Sequence, residues 1–218
     1  MKKILVPTLI AAAIGSLASV AHAAEPESTL AFNAGVVSDY RYRGISQSRL
    51  EPALQGGVDY TDKSGFYVGA WGSTIKWIKD AGASAGSVEV DLYGGYKGAV
   101  GDLAYDVGFL RYEYVGNKLA GVNGAVNANT NEVYGAVTYG LFTAKYSHAL
   151  TDIFGTANSK GAYYLDLSAN FDLGAGYTLT PHVGRQGNYS AAYNDYSLTL
   201  TKDLGNGLAG SIMLVDTN

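Results

Sequence analysis

The sequence predicts an all-β protein: a transmembrane antiparallel up-and-down β-barrel of about twelve strands. Three observations predict it. Only 16 % of the residues are charged, against about 25 % in soluble domains. Glycine (29 of 218) and tyrosine (18) are abundant, and cysteine is absent. Beyond the N-terminus there is no run of about 20 apolar residues to make a membrane helix. Instead, stretch after stretch alternates apolar and polar residues with period two, the pattern of a strand with one apolar face.

The first 23 residues read as a cleavable signal peptide. Lys2 and Lys3 precede the apolar stretch 4–20, and Ala21-His22-Ala23 has the small-x-small form of a cleavage site. No cysteine follows, so the reading is not that of a lipoprotein. Residues 24–218 form one domain, the expected barrel. Without the two lysines of the signal its formal charge is more acidic than the −4 of the whole chain, which argues against nucleic-acid binding.

Eleven strands are visible: 29–43, 51–61, 65–76, 87–97, 102–114, 130–139, 142–149, 162–173, 176–186, 193–203 and 208–215. The first carries Leu30, Phe32, Ala34, Val36, Tyr40 and Tyr42 on one parity. Asn33, Asp39, Arg41 and Arg43 lie on the other. In the eighth, the clearest, Tyr163, Leu165, Leu167 and Phe171 alternate with Tyr164, Asp166, Ser168 and Asp172. The third strand is apolar on both faces and takes no orientation from its sequence. Short, turn-like connections (62–64, 98–101, 140–141, 174–175, 204–207) alternate strictly with mostly longer ones (44–50, 77–86, 115–129, 150–161, 187–192). Barrels with short turns on the periplasmic side and longer external loops show this alternation. Asn206-Gly207 is a hairpin signal. Eleven is odd, whereas bacterial single-chain barrels close with an even number. The expectation is therefore either a C-terminal strand missing from this sequence or a true count of ten.

If the alternation holds, nine acids (Asp39, Glu51, Asp59, Glu89, Asp91, Asp106, Glu132, Asp166, Asp172) and four bases (Arg41, Arg43, Lys97, Lys145) point inward. The excess of acids suggests a mildly cation-favouring lumen. The alternative is that these charges pair across strands and plug a narrow barrel. Arg41 and Arg43 are expected to pair with Glu51 across the first hairpin. The outward tyrosines, Tyr40, Tyr42, Tyr60, Tyr96, Tyr105, Tyr139, Tyr163, Tyr177 and Tyr196, read as aromatic girdles at the membrane interfaces. One enzyme-like set stands out: Ser168 opposite His182, with Asp166 diagonal, all inward, as an outer-membrane hydrolase would need. Against it, no oxyanion hole is visible. Nothing matches a phosphate loop, a zinc site or a nucleotide fingerprint, so no metal or cofactor is expected.

One stretch carries a family resemblance. Asp39, Tyr40, Arg41, Tyr42, Arg43, Gly44, Ser46 and Gln47, then Pro52, Gln55, Gly56, Gly57 and Tyr60, then Gly65, Phe66, Tyr67, Gly69 and Trp71, resemble the opening of the TorF-type porins, also called the Gcw_chp family. Beyond residue 73 the resemblance rests on strand spacing. It implies a signal-bearing barrel of the bacterial outer membrane with a porin role. Together these observations lead to the expectation of a non-enzymatic porin. Its partners would be outer-membrane lipid and small hydrophilic solutes or ions. Asp39, Arg41, Arg43, Glu51, Asp59, Glu89, Asp91, Asp106, Glu132, Lys145 and Asp166 would line its pore.

Overall fold

The structure, a computed structural model, describes residues 4–8, 28–188 and 192–218. Its elements are β1 (Ile4–Thr8), β2 (Thr29–Val37), β3 (Arg41–Tyr42), β4 (Ile45–Ser46), β5 (Ala53–Thr61), β6 (Phe66–Thr74), the helical turn α1 (Trp77–Asp80), β7 (Val88–Val100), β8 (Leu103–Tyr114), β9 (Thr130–Tyr139), β10 (Phe142–Ala149), β11 (Tyr163–Ala169), β12 (Phe171–Gly174), β13 (Tyr177–Gly187), β14 (Tyr193–Gly205) and β15 (Leu208–Thr217). All ladders are antiparallel. Apart from the small hairpin β3–β4, the strands form one sheet in the order β1-β15-β14-β13-β11-β10-β9-β8-β7-β6-β5-β2. β12 continues β11 along β13 after an interruption at Asn170.

From β2 onward, strands consecutive in the barrel wall are neighbours in the sheet, the up-and-down order expected. The sheet curls until β1 touches β2, giving a barrel of twelve strand positions among the described residues. Eleven match the eleven predicted strands, so the alternative count of ten falls. The twelfth position is occupied here by β1, which belongs to the segment read as a signal peptide, so the strands beyond residue 23 supply eleven positions. β1 lies along β15 with Ile4 opposite Val215 and Thr8 opposite Ser211. The rest of the predicted signal, 1–23, lies outside the described residues.

Alternation sets the two faces as predicted. Phe32, Leu54, Val107, Leu165 and Leu198 are exposed on the outside, while Glu89, Tyr112, Glu132 and Gln186 are buried inside. Strand β6 is oriented by its neighbours: Phe66 and Val68 point out, and Tyr67 points in. Inside, several tyrosines cover glycines directly across the ladder: Tyr93 on Gly69, Tyr67 on Gly95, Tyr134 on Gly108. A Cβ at any of the three would strike the ring. The glycine content of the chain thus makes room for rings inside a narrow barrel.

The first strand is shorter than predicted. β2 ends at Val37, and the chain turns inward at residues 38–40. It then forms the hairpin β3–β4 around Arg43 and Gly44, whose φ angles are +47° and +77°. Both central residues of the two-residue loop are left-handed, as a type I′ turn requires. Period two carries through this stretch in sequence, but the strand does not. Tyr40 and Tyr42, predicted for the outer girdle, are therefore inside: Tyr40 is 7 % exposed, and Tyr42 packs against Tyr112.

The main apolar core lies at the end of the long connections. There Tyr40, Ile75, Ile78, Tyr114, Leu119 and Ala128 pack together under the loops, with Trp77 and Phe154 against them. The loops are joined through their backbones. The Lys76 and Trp77 amides both donate to the Gln47 carbonyl (2.8 and 3.2 Å), and Val126 N–H donates to the Gly155 carbonyl (2.9 Å).

Candidate functional site

The hairpin β3–β4 is fixed at its base by Asp39, which is 2 % exposed. Its Oδ1 accepts from Ser46 Oγ (2.5 Å), Ser48 Oγ (3.0 Å) and the Leu50 amide (3.1 Å), while Oδ2 accepts from Arg41 Nε. Arg41 Nη1 also donates to the Gly44 carbonyl (3.0 Å). Arg41 and Asp39 thus hold the shape of the hairpin. Glu51 takes neither arginine, contrary to the expected ladder. It pairs with Lys76 at the loop end, and this hydrogen bond lowers its carboxyl from the ordinary value. The ladder failed because it presumed a continuous first strand, and the inward turn carries both arginines away from Glu51.

Arg43, at the tip of the hairpin, reaches across the lumen. Its Nη2 donates to Glu132 Oε2 on β9 (2.7 Å) and its Nη1 to Gln186 Oε1 on β13 (2.9 Å). The guanidinium lies over the rings of Tyr42 (4.9 Å) and Tyr164 (4.5 Å). Tyr42 and Tyr112 hydroxyls bond to each other, and Tyr112 donates to the same Glu132 Oε2 (3.0 Å). Tyr40 Oη donates to Glu89 Oε1 on β7 (3.0 Å). One hairpin is therefore tied to β7, β8, β9 and β13. A bulky residue with positive φ at the tip is a strained choice, kept because contacts on all sides determine it.

Two cavities share Tyr42 and Arg43 as lining. One, of about 320 Å³, is lined on the loop side by Trp77, Tyr114, Ile153, Phe154 and Tyr193. The other, of about 340 Å³, lies among Asp91, Lys145, Tyr164, Asp166, His182 and Asp195 on the walls of the barrel. The hairpin residues Tyr42 and Arg43 thus border both an aromatic vestibule and a charged chamber.

In the chamber, His182 Nε2 lies 3.0 Å from Asp166 Oδ2 and its Nδ1 lies 3.5 Å from Asp195 Oδ1. Tyr164 Oη donates to Asp195 Oδ2 (2.9 Å). Ser168 does stand directly across the ladder from His182. The His182 Nε2, however, is hydrogen-bonded to Asp166, and no hydrogen bond joins His182 to Ser168 among the described residues. The predicted triad has its register but not its hydrogen bonds. Asp195, missed by the sequence reading, shares the inward parity of β14 opposite Tyr196 and Leu198, so the same alternation could have found it.

The remaining predicted charges spread down the wall. Asp59 and Asp106 accept from Tyr93 (2.5 Å) and Tyr67 (2.6 Å). Lys97 is opposite Asp106 in register but lies over the Tyr67 ring at 4.5 Å. Lys145 likewise lies over Tyr134, at 4.1 Å. Asp172, predicted inward, is exposed at the turn end of β12 and accepts from the Gly174 amide. Among the described residues no cluster of histidine, aspartate or glutamate has the form of a metal site.

No curated protein matches the chain. Among solved structures, the chain is similar to Pseudomonas aeruginosa OccK2 (OpdF) in complex with glucuronate, at 14 % identity and a TM-score of 0.38, covering 87 % of this chain and 65 % of that one. It is similar to Pseudomonas aeruginosa OccK10 (OpdN) at 13 % and 0.40, covering 87 % and 68 %. Similarity to OpdK with vanillate from the same organism is 14 % and 0.37, covering 86 % and 64 %. The chain thus spans about two thirds of the length of these structures. The model of one family, described as a bacterial protein of unknown function (Gcw_chp), matches residues 21–218, and the chain belongs to that family.

Proposed function

We propose that this protein is an outer-membrane channel, of the TorF porin type, through which small hydrophilic solutes or ions diffuse passively. One observation carries the reading: an apolar outer wall encloses two cavities that share the hairpin residues Tyr42 and Arg43 in their linings. An apolar exterior suits lipid, and a polar lumen suits hydrated solutes. Export by residues 1–23 would bring the chain to that membrane, and cleavage of this segment would take β1 out of the sheet, leaving the eleven strand positions from β2 to β15. Conduction is a better reading than catalysis because the His182 Nε2 is hydrogen-bonded to Asp166 rather than to Ser168.

The lumen is read as mildly cation-preferring. Glu132 has Arg43, and Asp39 has Arg41. Asp59, Glu89, Asp91 and Asp106 form no ion pair among the described residues. Fixed carboxylates in a narrow, low-dielectric passage raise the local cation concentration. The test is reversal potential in a salt gradient across a planar bilayer. Cation preference is expected, reduced by Glu89→Gln, Asp91→Asn and Asp106→Asn together. Anion preference would overturn the charge reading.

A second reading is favoured by the ties of Arg43 to opposite walls: a plugged structural barrel, its hairpin locked in place. Protein that folds, inserts and passes no current would support it.

A further inference from the structure

We propose that the charged chamber beneath the hairpin is a binding site for a zwitterionic solute of amino-acid or dipeptide size. The inference rests on the channel reading and names the class of solute it favours. Three cationic side chains, Arg41, Arg43 and Lys145, and three carboxylates, Asp91, Asp166 and Asp195, face this one space. Most are already satisfied. Arg41 has Asp39, Arg43 has Glu132, and Asp166 and Asp195 flank His182.

Two are not. Among the described residues Lys145 forms no ion pair and rests on the Tyr134 ring. The carboxylate across the ladder from it, Asp166, has turned to His182. Asp91, on the other side, is only 9 % exposed, and its Oδ1 is buried without a hydrogen-bond partner. The chamber thus holds one unpaired cation and one unpartnered carboxylate. It was Lys145 and Asp91 that the register left over once every closer pairing had formed.

This arrangement discriminates among solutes. A neutral molecule that displaces water leaves both charges desolvated and unpaired, which is costly. A simple anion satisfies Lys145 but leaves Asp91 without a partner. A simple cation satisfies Asp91 but leaves Lys145 unpaired. A solute with a carboxylate and an ammonium satisfies both groups at once, and about 340 Å³ is room for a small one.

The test is single-channel recording of the refolded full chain in potassium chloride, with glycylglycine added as the zwitterion. Acetate, methylammonium and glycerol serve as the singly charged and neutral comparisons. Glycylglycine is expected to interrupt the current in resolved blocks at concentrations where the other three do not. Lys145→Gln and Asp91→Asn should each weaken the block by about tenfold, as loss of one charged partner does. Asp203→Asn, at the far β14–β15 turn, should leave it unchanged. Conductance without selective block by glycylglycine would overturn the inference and leave the channel intact. Absence of conductance would count against the channel instead. In that case, glycylglycine binding to detergent-solubilised protein by calorimetry, weakened by either substitution, would still support the site, and no binding would overturn it.

Discussion

Arg43 and Glu132 meet at 2.7 Å across the lumen, with side chains only 5 % and 2 % exposed. The two residues come from a loop tip and a wall strand 89 positions apart. On the channel reading proposed above, this pair stands where the vestibule and the chamber adjoin. Removing one partner of a buried ion pair costs about 3–5 kcal/mol, because the other charge stays buried alone. Arg43→Gln should therefore lower stability in denaturant titration and raise single-channel conductance, since the tip no longer spans the lumen. Arg43→Gln with Glu132→Gln should recover part of the stability while keeping the higher conductance. Unchanged conductance in both would show that the hairpin is not the narrow point.

Gly44 offers a second handle on the same hairpin. Its φ is +77°, and a Cβ there would lie 2.5 Å from Thr217 Cγ2 and 2.6 Å from Asp195 Cβ. Gly44→Ala should displace the tip and alter conductance. Gly101, in the β7–β8 turn, has φ +59° with nothing within 4 Å. Gly101→Ala should cost only the left-handed backbone strain, about 1–2 kcal/mol, with conductance as before. Equal effects on conductance would refute the role of the hairpin.

The face assignment predicts unequal tolerance of arginine. Leu165 is on the outside and 40 % exposed, whereas Ser168 faces inward opposite His182. Arginine facing lipid near mid-bilayer costs about 2–4 kcal/mol. Heat-modifiable gel mobility should show Leu165→Arg impaired in folding and Ser168→Arg largely folded. The reverse order would invert the barrel.

Catalysis by the chamber has a direct check. Ser168→Ala should leave conductance and ion selectivity unchanged, since its hydroxyl is not on His182. Ester or acyl cleavage by purified protein, abolished by this change, would make it an enzyme.

The sequence by itself determined the walls. Period two assigned Leu165, Val107 and Phe32 to the outside, and Glu89, Glu132 and Asp166 to the inside, because a strand gives each side chain only two directions. Alternating short and long connections determined which end carries the loops, and eleven strands were countable. Tertiary structure decided everything that crosses the lumen. Asp39 to Arg43 continue the alternation of β2, so nothing local announces that the chain leaves the wall at Val37. The inward turn is set by partners far along the chain, Glu89, Tyr112, Glu132 and Gln186, which only the closed barrel brings around it. The same holds for His182. Its register with Ser168 was legible, but which of three inward neighbours its two nitrogens would meet depended on Asp195 from the next strand. Strand parity is a local, two-valued property of the backbone. Pairing inside a closed wall is a competition among side chains from many strands, and it is decided only when all of them are in place.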